Sequence, residues 1–84
     1  MRHRLGLVAT RAIANFHSAD SIEEHLRAEG ATLHPDLVRL RLNIESELDQ
    51  ADAAINHNDL ACAAKALDRA QAFLDRFATR LGGA

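Results

Sequence analysis

Five histidines, His3, His17, His25, His34 and His57, are the residues of this chain best suited to ligate a metal or move a proton near neutral pH. Their spacing argues against both. Zinc sites and di-iron bundle sites on helices need ligands three or four residues apart, so that they project from one face. No two of these histidines are so spaced, and neither a His-Glu-x-x-His nor a Glu-x-x-His pattern occurs. His25 and Glu29 share a helical face, but two ligands do not make a site. The expectation is no metal and no cofactor.

The remaining reactive groups are equally isolated. Cys62 is the sole cysteine, so no disulfide forms within the chain, in keeping with a reducing compartment. It falls early in a helical segment, where the helix N-terminus lowers a thiol pKa. With no second cysteine to resolve an oxidation, it reads as a small helical residue. Glu45, Asp49 and Asp52 form an acidic ridge, and paired carboxylates can do acid–base work. Without a partner base or an aromatic platform they read as a solvated face, with Arg69, Arg76 and Arg80 as possible ionic partners. The chain has no glycine-rich phosphate loop, no nucleophile elbow and no Ser/His/Asp arrangement. It is therefore not expected to be an enzyme, and no catalytic residue is assigned.

Four helical segments are expected to position these groups within one domain, residues 1–84. The first, 4–17, carries Leu5, Val8, Ala9, Ala12, Ile13 and Phe16 at helical spacing. The second, 21–29, has Asp20 as N-cap with Glu23 completing a capping box, and Gly30 as its stop. The third, 36–56, follows Pro35, which suits a first helical position. Its stripe is Leu37, Leu40, Ile44, Leu48, Ala51 and Ile55. The fourth, 59–81, places Leu60, Ala63, Leu67, Ala70, Leu74, Phe77 and Leu81 in alternating steps of three and four. The short "NHN" turn between the last two implies an antiparallel pair. The expected class is all-α: a small bundle built on a long antiparallel helical hairpin with one or two shorter N-terminal helices.

"LVRLRLNI" also fits a strand, since Val38, Leu40, Leu42 and Ile44 alternate with Arg39, Arg41 and Asn43. Pro35 before it and the helical seam after it favour helix. As a strand, it would let two chains pair into a ribbon projecting Arg39, Arg41 and Asn43, as in ribbon-helix-helix repressors that read the DNA major groove. That is the alternative function. The acidic ridge and the net charge of −2 oppose it.

"NDLACAAKALDRA", residues 58–70, resembles the turn and second helix of a tetratricopeptide repeat. Asp59, Leu60, Ala63, Leu67 and Ala70 occupy matching positions, and Asn58 stands where that family usually has Gly. The chain holds no Trp or Tyr for the first-helix positions and no second copy of the motif. The resemblance implies a helical hairpin of that packing type, and by analogy a protein–protein interaction role.

Composition fits this reading. Apolar residues make up 48% of the chain, but only three are aromatic: Phe16, Phe73 and Phe77. Ala and Leu must fill the core. A chain this short has a small stability margin, which self-association commonly offsets. Residues 1–17 carry Arg2, Arg4 and Arg11 and no acid. This basic, apolar segment could lie on an anionic membrane surface, but a small core needs its stripe. "MRHRLGLVATRAIANFHSA" faintly imitates a signal peptide, yet Arg11 breaks its apolar run, so a cytoplasmic location is expected. No stretch approaches the roughly 18 apolar residues of a membrane span. The helix carrying Ala66 and Phe73 has more apolar surface than one neighbour covers, so its second neighbour is either the first helix of the same chain or another chain; the first and second helices offer few large side chains to cover it. The expectation is therefore a homodimer, or docking to another protein, through Phe73 and Ala66 with Val38 and Leu42; neither nucleic acid nor membrane is expected. Elemental analysis of untagged protein should find no stoichiometric metal, and near-stoichiometric zinc or iron would overturn the reading of the histidines.

Overall fold

Outside the last residues, the chain contains only Gly6, Gly30 and Pro35 as strong helix breakers, and the last two lie close together. The structure, a computed structural model, describes residues 1–83. It shows three helices: α1 (Arg2–Ala28), α2 (Pro35–Asn56) and α3 (Leu60–Gly83). No strand occurs among the described residues, and residues 38–44 lie inside α2. The class is all-α. No described helix is long and apolar enough to cross a membrane.

The two short N-terminal helices expected at 4–17 and 21–29 are one continuous helix. The intervening "HSADS" holds neither Gly nor Pro, so nothing stops propagation. Ser18 donates its hydroxyl to the Ala14 carbonyl within the helix (3.2 Å), and Ala19 is fully buried. Asp20 is not an N-cap: its carboxylate accepts from Arg41 of α2 at 2.7 Å.

Both connections end their helices in the same way. After α1, the Gly30 N–H donates to the Arg27 carbonyl and the Ala31 N–H to that of Leu26, with Gly30 at φ 79°. After α2, the Asn58 N–H donates to the Ile55 carbonyl and the Asp59 N–H to that of Ala54, with Asn58 at φ 60°. Each is the paired hydrogen-bond pattern that closes a helix through a left-handed residue. Asn is among the few side-chain-bearing residues that adopt that conformation readily. Asp59 then accepts the Cys62 N–H on its side chain (3.2 Å), capping α3 as it closes α2. His34 caps α2 by accepting the Asp36 N–H on Nδ1 at 3.1 Å.

The core takes Val8, Ala12 and Ala19 from α1, Leu37, Ile44 and Ala51 from α2, and Ala63, Ala66, Leu67, Ala70, Leu74 and Phe77 from α3. Phe16 packs edge to face on Phe77, with ring centroids 5.6 Å apart. Two expected core residues lie outside. Ile13 is 68% exposed, because α1 turns Val8 and Ala12 inward and Ile13 falls 100° around the helix from Ala12. Leu60 is 48% exposed, because it opens α3 one turn before Ala63, the first buried residue. Leu48 and Ile55 are only half-buried.

Helix α1 is therefore the second neighbour of α3. Its arginines hold it there: Arg2 pairs with Asp52 of α2 (2.6 Å), Arg4 with Asp68 of α3, and Arg11 with Asp75 of α3 (2.6 Å). All three pairs are substantially exposed, so each contributes roughly 0–1 kcal/mol, and their main effect is to fix position. Leu67 has no exposed surface, so Leu67→Ala should destabilise the fold by about 2–5 kcal/mol in chemical denaturation. An unchanged midpoint would show that this stripe is not core.

Candidate functional site

With α1 seated on one side of the α2–α3 pair, another side stays open. There Leu40 and Phe73, both half-buried, line a shallow groove of about 240 Å³ with Asp36, Arg39, Arg76 and Arg80. Arg39 and Asn43, one helical turn apart on α2, face Phe73 and Arg76 of α3 across it. The Arg76 guanidinium carbon stands 6.0 Å from the Phe73 ring centroid. Arg80 donates to Asp36 at 2.9 Å. Just outside, Arg69 donates to Glu47 at 2.6 Å.

The arginines thus divide by partner. Arg69 and Arg80 are ion-paired, though with Glu47 and Asp36 rather than with the acidic ridge. Among the described residues Arg39 and Arg76 lie within no ion pair. Within the ridge, Glu45 accepts from Arg41 (3.4 Å) and Asp52 from Arg2, while Asp49 stays in solvent. Spacing alone does not separate the arginines; their partners are fixed by how the helices seat.

Arg39, Arg41 and Asn43 do not form one surface. Arg39 and Asn43 line the groove, whereas Arg41 turns toward α1, pairs with Asp20 and stands 4.6 Å over the Phe16 ring. The hydrogen bond from Arg41 to Asp20 raises the guanidinium pKa further above its ordinary value. The strand a ribbon-type reader needs is absent at residues 38–44.

The four residues singled out for an interface also separate. Ala66 is 1% exposed and belongs to the core, because it faces inward beside Leu67 and Ala70. Phe73 lines the groove. Val38 (46% exposed) and Leu42 (59%) form a ridge one turn long on α2, about 100° around the helix from Arg39 and Asn43. Of the two second neighbours expected for α3, the first helix of the same chain is the one present, seated by the Arg4–Asp68 and Arg11–Asp75 pairs.

The other candidates remain scattered. His25 comes within 3.7 Å of Glu29, and among the described residues no third ligand joins them. A surface hollow of about 440 Å³ along α1 is lined by His17, Asp20, Ser21, Glu23, Glu24 and Arg27. Two of its acids are engaged, Asp20 by Arg41 and Glu23 by Arg27.

Cys62 reverses expectation. Its thiol pKa is raised rather than lowered, first by a hydrogen bond to the Asp59 carboxylate and then by that group's negative charge. The Asp59 carboxyl is correspondingly lowered, chiefly by the Cys62 side chain and then by its N–H.

The chain matches no protein-family model, and no curated protein or solved structure is significantly similar to it. The fold and groove define it only as a small three-helix protein with an open, arginine-lined face.

Replacing Asp59 with Asn should speed alkylation of Cys62 by iodoacetamide at mildly alkaline pH, because removing the charge lowers the thiol pKa and raises the thiolate fraction. An equal or slower rate would contradict the assigned contact. The same cap sets a pH dependence. A carboxyl lowered on folding stabilises the fold above its unfolded pKa, and that contribution fades as pH falls through the folded value. The variant should therefore lose less stability on acidification than the wild type.

Proposed function

We propose that this chain is a non-enzymatic helical module for protein–protein interaction that associates with a second copy of itself. The carrying observation is the Val38–Leu42 ridge, two large aliphatic side chains one turn apart in solvent on a helix whose other face is core. Burying such a side chain contributes about 1.5–3 kcal/mol. A two-fold contact sets the ridge against its own copy, and two-fold dimers are the commonest closed assembly. Phe73 is a weaker centre for such a contact, since two-fold pairing there would set Arg39, Arg76 and Arg80 of one copy toward those of the other.

The α2–α3 pair serves as an antiparallel helical hairpin of tetratricopeptide-like packing. The pairs Arg80–Asp36 and Arg69–Glu47, which join the end of α3 to the start of α2 and the middle of each to the other, support that reading. So does Asn58, left-handed at the position where the repeat carries Gly. A cytoplasmic location accords with the single, unpaired cysteine.

Light scattering across a concentration series should show a mass rising above the 9.2 kDa chain. Leu42→Glu should hold it at the chain mass with helicity unchanged, because Leu42 is exposed. A constant chain mass for the wild type up to about 1 mM, which corresponds to about 4 kcal/mol of association, would overturn the self-association reading.

A further inference from the structure

We propose that the α2–α3 groove binds a short acidic segment of a partner protein, with carboxylates on Arg39 and Arg76 and an apolar side chain against Phe73 and Leu40. This site lies on a different face from the Val38–Leu42 ridge and does not depend on self-association.

Charge distribution carries the assignment. The chain has ten Lys and Arg residues. Seven of them, Arg2, Arg4, Arg11, Arg27, Arg41, Arg69 and Arg80, lie in ion pairs. The three others are Arg39, Lys65 and Arg76, and two of these line one groove. With Arg80 against Asp36, the wall holds three cations and one anion, a local excess of +2 (3 − 1), on a chain of net charge −2. Guanidinium forks favour carboxylates, which they bind in a bidentate way. The floor is apolar, and Phe73 and Leu40 are only half-buried. Aromatic residues and arginine are both enriched in protein interfaces.

The form of the groove narrows the occupant. At about 240 Å³ it is smaller than common small-molecule pockets, and it is open along its length. Nucleic acid would meet Asp36 inside the groove and acids on every helix around it. A second copy offers no matching free acidic face at the α1 hollow, where Arg41 and Arg27 already engage Asp20 and Glu23.

The test uses the full chain and fluorescein-labelled probes: a peptide alternating Glu and Leu, its Lys and Leu counterpart, and a single-stranded oligonucleotide. Anisotropy should show saturable binding of the acidic peptide alone. Affinity should fall at least about tenfold on raising salt from about 50 to about 500 mM, since surface charge pairs are screened over that range. It should fall by a similar factor in the double variant Arg39→Glu, Arg76→Glu. Both side chains are exposed, so circular dichroism of that variant should match the wild type. Leu42→Glu should bind the peptide normally whatever its mass, which separates this site from the self-association reading. Absence of saturable binding up to about 1 mM, binding indifferent to the double variant, or preference for the oligonucleotide would each overturn the proposal.

Discussion

The packing of this molecule depends on the edge-to-face contact of Phe16 with Phe77. Phe77 is the largest fully buried side chain, and Phe16 is the aromatic that α1 contributes. Arg41 of α2 covers the outer face of Phe16, so all three helices meet at one aromatic pair. In a core otherwise made of Ala, Leu, Ile and Val, this is the contact with the most specific geometry. It sets how far along α3 the first helix lies. Arg4 and Arg11, seven residues apart on α1, then meet Asp68 and Asp75, seven apart on α3.

That seating of α1 determines the rest of the surface. It lies along the Asp68 and Asp75 side of α3, and Asp20, Asp52, Asp68 and Asp75 are all engaged in ion pairs between helices. It leaves the opposite flank of α3, with Phe73 and Arg76, facing α2 across an open groove. The groove's positive excess is a remainder: most acids elsewhere are ion-paired with other arginines, while among the described residues Arg39 and Arg76 lie within no ion pair.

Much of the fold was legible in the residues. The seam Ala63, Leu67, Ala70, Leu74 and Phe77 is buried as its spacing requires, and Pro35, Gly30 and Asn58 mark the breaks. The failures have physical causes. Asp20 and Glu23 carry a capping signature, but a cap signal does not break a helix that has no Gly or Pro to stop it. Ile13 is more apolar than Ala12, yet it lies about 100° around α1 from the inward face that carries Val8 and Ala12, and it stays in solvent. The candidate site was legible only in pieces. Phe73, Arg39 and Asn43 were each singled out for separate reasons, and only the register between α2 and α3 puts them on one groove.

Asp59 closes α2 with its N–H and starts α3 with its carboxylate, so the two helices share a residue and have no slack between them. Their rotational phases are therefore locked together. One residue inserted at Asn58 would turn α3 by about 100° about its axis relative to α2. The Leu67–Leu74–Phe77 stripe would then point away from Ile44, and the groove would lose Phe73 in the same motion. Core and surface face are two readings of one angle, set by a turn of three residues from His57 to Asp59.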